Sequence, residues 1–175
     1  MTVDFNQNHF ELLGLRARFR VDAAELDRRY RELQREVHPD RFAASPAAEQ
    51  RLSIELATLV NQAYQTLKSP LRRTAYLLRL RGLDPQFETN TAMPVEFLAE
   101  QMSWRERIEA ASERPEILLD LLSGIRGESG EIRERLKTAL DEARDDQSAL
   151  ETVRMLMFYE KLDEEIEDKL AERET

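Results

Sequence analysis

Cysteine is absent from the 175 residues, which excludes disulfides, thiol catalysis and thiolate-held metals. Histidine occurs only at His9 and His38, too few imidazoles for an ordinary zinc site, so no metal and no cofactor is expected. Glycine and proline are sparse, at 5 and 6 residues, which leaves little turn chemistry for a chain of short strands. β-branched residues are also few, and a sheet-rich fold is disfavoured. No apolar run approaches the ~18 residues that a membrane span requires. The opening MTVDFNQNHFELLGL has neither a basic n-region nor an apolar h-region, so no secretory signal is expected and the chain reads as cytoplasmic.

What remains is helix-forming material. Charged residues make up 35% and hydrophobic residues 41%, with Leu, Ala, Glu and Arg prominent, all good helix formers. The charge is divided unevenly. Residues 1–81 hold 14 basic and 10 acidic side chains, a net of +4, whereas the rest holds 12 and 25, a net of −13. A boundary near Gly82 therefore separates a mildly basic half from a strongly acidic one.

In the first half, Asp22 with Glu25 three residues on reads as a capping box. Leu26, Tyr30, Leu33 and Val37 follow as one apolar stripe. The other side carries Arg28, Arg31 and Arg35, with Arg29 beside them. His38-Pro39-Asp40 ends this helix, because Pro39 pushes its predecessor out of the α region. Ser45-Pro46 reads as an N-cap followed by proline at the first helical position, opening a helix with Leu52, Leu56, Leu59, Ala63 and Leu67 on one face. That helix ends at Ser69-Pro70. A shorter one runs from Leu71 to Arg81 and closes at Gly82. Phe10 to Leu15 forms one short helical turn ahead of them all.

Residues 83–93 lack periodicity and read as a linker. From Pro94 a helix runs to about Glu113 with Phe97, Gln101, Trp104, Ile108 and Ala111 facing a core. Ile117 to Ile125 continues as helix. Gly124, Gly127 and Gly130 then imply either a break or one imperfect helix resuming through Ile132, Leu136 and Leu140. Ser148 and Glu151 read as a capping box for a last helix with Met155, Tyr159, Leu162, Ile166 and Leu170 on one side. The expected fold is all-α: an N-terminal helical hairpin over 1–82 and a three-helix bundle over 94–175.

His38-Pro39-Asp40 is the most informative motif. By itself it is a turn, with aspartate bonding local backbone N–H groups. Here it joins two amphipathic helices beside an arginine face, and a charged tip on a rigid hairpin is a docking surface. No nucleophile or second acid converges on His38, so an enzyme is not expected. The glycines at 124, 127 and 130 follow a helical pattern, not a strand, and make no phosphate loop. Asp145-Asp146 and the tail from Glu160 to Asp168 read as solvated helix face.

The stretch from Phe10 to Arg81, with Tyr30, His38-Pro39-Asp40 and the run NQAYQTLKSPLRR (Asn61 to Arg73), resembles the J-domain proteins. The second half, in FLAEQMSWRE (Phe97 to Glu106) and VRMLMFYEKL (Val153 to Leu162), resembles the HscB type, the iron–sulfur cluster co-chaperones. The resemblance implies that the J-domain engages a heat-shock-type chaperone of the seventy-kilodalton class (HscA-like) through His38, Pro39, Asp40 and the arginines 28, 29, 31 and 35, stimulating its ATPase. It implies further that the bundle holds the iron–sulfur scaffold protein (IscU-like). Ser103 departs from the acidic residue that is frequent in that family. The cysteine module of some eukaryotic relatives has no counterpart, so no zinc is inferred.

Helical spacing alone sets Leu98, Met102, Arg105 and Glu109 on a stripe displaced from the Phe97/Trp104/Ile108 face, and Phe158 flanks the last helix in the same way. Leu98, Met102 and Phe158, rimmed by Arg105 and Glu106, are the expected scaffold-binding patch. Two other readings stand beside this one. A nucleic-acid module working through the four arginines would bind with a steep salt dependence. A general J-domain co-chaperone would need a glycine-rich or cysteine-rich client module, and none follows Gly82.

Overall fold

The computed structural model describes residues 6–85 and 95–172, and no strand occurs among them. The chain divides into two compact units between Leu80 and Arg81. Most of the expected linker, residues 86–93, lies outside the described residues.

The first unit contains α1 (His9–Leu12), α2 (Ala23–Val37), a 3₁₀ turn (Pro39–Phe42), α3 (Ala47–Lys68) and α4 (Pro70–Leu80). Asn8 caps α1 by accepting from the Phe10 and Glu11 amides, and Glu11 returns the bond to the Asn8 amide. Asp22 caps α2 through the Glu25 amide at 2.8 Å. The Glu25 carboxylate does not complete a box but turns to Arg28 and Arg29. Leu26, Leu33 and Val37 of α2 meet Val60, Ala63 and Leu67 of α3 in the core, and Tyr30 stacks on Tyr64 with centroids 4.1 Å apart.

The α3 face differs from expectation. Ser53, Val60, Ala63, Tyr64 and Leu67 are buried, Leu56 and Leu59 are half-buried, and Leu52 is exposed. The polar contacts Gln34–Ala57, Tyr30–Asn61 and Asp27–Tyr64 keep one antiparallel register. Ser53, the next residue, is buried, so the α3 face turned to the core runs through Ser53, Val60, Ala63 and Leu67 and leaves Leu52 to one side of it. Pro46, not Ser45, is the N-cap of α3, and it makes no side-chain capping bond.

His9 stacks on Tyr76 at 4.3 Å, its Nδ1 has no hydrogen-bond partner among the described residues, and burial holds its imidazole below the ordinary value of 6.5. The unfolded chain therefore binds the proton more readily than the folded one, and stability falls as pH drops below about 6.5. His9→Phe keeps an aromatic ring on Tyr76 and removes the titration. Its melting temperature is expected to fall less between about pH 7.5 and 5.5 than the parent's. Equal falls would show that His9 is not the titrating group.

The second unit contains α5 (Val95–Ala110), α6 (Pro115–Lys137), a π-helical segment (Thr138–Ala143) and α7 (Asp146–Ala171). Gly124, Gly127 and Gly130 all lie within the continuous α6. Ile125, Ser129 and Ile132 are buried there, and such packing outweighs a glycine cost of about 1 kcal/mol per residue. Gly124 also has a use: a Cβ on it would meet the Trp104 ring at 3.3 Å.

Helix α7 packs against both α6 and α5. Its buried arc is wide, from Ala149, Val153 and Leu156 to Phe158, Tyr159, Leu162 and Ile166, whereas Met155 and Leu170 are only half-buried. Its N-cap is Asp145, accepting from the Ser148 amide at 3.0 Å, so the expected Ser148 box does not form. Three of the acidic residues read as solvated have partners: Asp146 pairs with Arg81, and Asp163 and Glu167 hold Arg126, whereas Glu164, Glu165 and Asp168 are exposed as expected. Arg81 also donates to the Leu140 carbonyl in the π segment, and Arg154 to the Pro85 carbonyl. The start of the expected linker is thus attached to the second unit.

Candidate functional site

The turn at 38–40 is built by its own chemistry. Pro39 holds His38 in extended backbone (φ −60°, ψ 129°), which ends α2 at Val37, and then opens a 3₁₀ turn at its first position. His38 Nδ1 accepts the Asp40 amide at 3.3 Å, and the Arg41 amide donates to the His38 carbonyl at 3.1 Å. The division of labour reverses the sequence reading. Histidine makes the local backbone bond, and the Asp40 side chain, 90% exposed, projects with its Oδ2 3.6 Å from His38 Nδ1.

Of the four arginines, Arg31 and Arg35 are exposed and carry no ion pair among the described residues. With Gln34, His38 and Arg41 they line an open depression beside the turn. Arg28 lies between Glu25 and Glu32, at 3.7 and 3.3 Å. Arg29 departs from the expected solvent-facing row. It is half-buried, pairs with Glu25 at 3.4 Å, and its Nη1 sits 3.2 Å from where a Gly14 Cβ would stand. Gly14 has φ +64°, so Arg29 fills space that a side chain there would need. It therefore sits against Gly14 instead of in line with the exposed Arg31 and Arg35.

On α5 the expected division of faces is present. Phe97, Trp104, Ile108 and Ala111 are buried. Gln101 is half-buried, and Leu98, Met102, Arg105 and Glu106 are exposed, with Leu98 at 44% and Met102 at 64%. Arg107 covers the Trp104 face at 4.3 Å. Glu100 accepts the Tyr159 hydroxyl, and burial together with that carboxylate raises the Tyr159 phenol above its ordinary value.

Phe158 does not join this surface. It is 6% exposed, edge-on to Phe97 at 5.5 Å and to Tyr159 at 5.4 Å. It lies within the core because α7 is covered on two sides, so its place is beneath the patch and not on it. Arg41, absent from the expected set, also lines the depression. No group of three or more His, Cys, Asp or Glu side chains that could hold a metal occurs among the described residues. No helix there is long and apolar enough to cross a membrane.

Known proteins resemble the chain over nearly its whole length. Residues 8–76 match the DnaJ domain, and residues 93–167 match the family described as the HSCB C-terminal oligomerisation domain. The protein named "Co-chaperone protein HscB homolog" of Azoarcus sp. is 48% identical over 172 residues, covering 97% of each chain. The protein of the same name from Chromobacterium violaceum is 49% identical, again covering 97% of each. The crystal structure of human co-chaperone protein HscB superposes with a TM-score of 0.89 at 34% identity, over 95% of this chain and 83% of that one. Chaperone HscB from Vibrio cholerae gives 0.82 at 32%, over 94% and 99%.

Proposed function

The chain belongs to the HscB family of J-domain co-chaperones, and from that premise we propose that it serves iron–sulfur cluster assembly by delivering an IscU-like scaffold protein to an HscA-like chaperone of the seventy-kilodalton class. The first unit docks on the chaperone and stimulates its ATPase. The second unit holds the scaffold on the α5 surface of Leu98, Met102, Arg105 and Glu106. The protein catalyses nothing itself.

One observation carries the reading: a proline-locked turn projects the exposed Asp40 carboxylate next to His38, which with Arg31 and Arg35 lines an open depression. A locked tip has little conformational entropy left to lose on docking. The same geometry disfavours a nucleic-acid module, since Arg28 and Arg29 are already paired with carboxylates and phosphate binding needs free cations.

A steady-state ATPase assay of the HscA-like chaperone tests it, with this chain and the scaffold added separately and together. Stimulation by the chain alone, and more than additive stimulation with both, is the expected result. No stimulation at saturating chain would end the proposal. Arg31 gives a kinetic prediction: Arg31→Glu is expected to slow association with the chaperone several-fold at low salt, with the deficit shrinking as ionic strength rises. Stopped-flow mixing at two salt concentrations measures this, and an unchanged low-salt rate would leave Arg31 an ordinary solvated side chain.

A further inference from the structure

The turn has a cost at the end of α2. In a continuing helix the Arg35 carbonyl would accept from the amide four residues on, at position 39, and the Glu36 carbonyl from that at position 40. Position 39 is proline and has no N–H. The Asp40 amide is committed to His38 Nδ1 at 3.3 Å. The motif therefore strips α2 of two terminal bonds, at the end where the helix dipole is negative.

Both carbonyls are taken by one side chain. Arg41 Nη1 donates to Arg35 O at 3.0 Å and to Glu36 O at 3.4 Å. The far end of the loop is held likewise: Gln50, in the first turn of α3, donates through Nε2 to Ser45 O at 2.8 Å and to Ala43 O at 3.3 Å. Between these two anchors lie the bonds that define the turn, Arg41 N to His38 O and Ala43 N to Asp40 O.

We propose that Arg41 and Gln50 are positioning residues that clamp the His38-Pro39-Asp40 turn in its docking shape, Arg41 by tying the turn to the end of α2 and Gln50 by holding the loop from α3. This rests on the docking role proposed above. A turn released from either anchor samples other shapes, and affinity falls by the fraction of time spent in the competent one. The proposed contact groups His38, Asp40, Arg31 and Arg35 stay intact, so full stimulation returns at saturation. That pattern distinguishes a clamp from a contact residue.

The test uses the full chain with Arg41→Ala and Gln50→Ala. In the free protein, backbone ¹⁵N order parameters over residues 40–43 are expected to fall from about 0.85 to below about 0.7 in either variant, with melting temperatures close to the parent's. In the ATPase titration the half-saturating concentration should rise about three- to tenfold, with the same maximum and no recovery of affinity at high salt. Gln50 is uncharged, so its variant cannot lose a charge contact. Order parameters like the parent's in both variants would overturn the proposal. So would a loss confined to Arg41→Ala that vanishes with salt, the mark of a charge contact. If the parent itself fails to stimulate, the docking role is wrong, and the order parameters still decide whether the clamp exists.

Discussion

Replacing Asp40 with Asn is expected to reduce stimulation of the chaperone's ATPase to near background, with the fold left intact. The Asp40 side chain is 90% exposed and supports no part of the core, and exposed substitutions of this kind usually change stability by less than ~0.5 kcal/mol. At the interface the same change removes a charge from the tip. Losing one partner of a desolvated, hydrogen-bonded charge pair costs about 2–5 kcal/mol, or roughly 30- to several-thousand-fold at ~1.4 kcal/mol per tenfold. His38→Gln is expected to behave similarly for a second reason: besides the ring it removes the Nδ1 acceptor of the Asp40 amide. The measurement is steady-state ATPase at saturating co-chaperone, beside a thermal melt of each variant. Parent-like stimulation by Asp40→Asn would overturn the docking assignment, and a lowered melt would show that the turn supports the fold.

The sequence reveals most where one rule acts alone. Helix α2 has a cap, a single apolar stripe and a proline stop, and all three are legible because α2 buries one face against one partner. Helix α3 misleads because its apolar residues fit two adjacent faces, and the one that is buried runs through Ser53 and Val60 instead of Leu52 and Leu59. A buried serine is invisible to an apolar count. In α7 the reading of one stripe underestimates a helix packed on two sides, and Phe158 goes to the core for that reason. The glycines of α6 leave two outcomes open in sequence, and tertiary burial of Ile125 and Ile132 chooses the continuous helix. Of the proposed docking set, the exposed residues Arg31, Arg35, His38 and Asp40 are legible from charge and motif. Arg29 is not, since its burial depends on Gly14, fifteen positions away. Arg41 is passed over because its role is to satisfy carbonyls, and a sequence does not show which carbonyls lack partners.

The burial of Phe158 divides the α5 surface into two separate expectations. Leu98 and Met102 project from the bundle, so changing both to Ala removes no core contact and should leave the melting temperature nearly unchanged. Interface energy concentrates in a few such anchors, each costing above ~1–2 kcal/mol on truncation. Scaffold affinity is therefore expected to fall by about thirty- to several-hundred-fold at ~1.4 kcal/mol per decade. The J-domain unit is built from other residues, so the double variant alone should still stimulate the chaperone, and the extra stimulation on adding scaffold should disappear. Phe158→Ala is the contrast. It empties a site between Phe97 and Tyr159, and truncating a buried phenylalanine typically costs about 3–5 kcal/mol, so its first effect is a lower melting temperature. Calorimetry with the scaffold, beside a melt of each variant, separates the two. Parent-like affinity in the double variant would remove Leu98 and Met102 from the interface. An unchanged melt for Phe158→Ala would mean that its ring is not part of the core, and would return it to the surface patch.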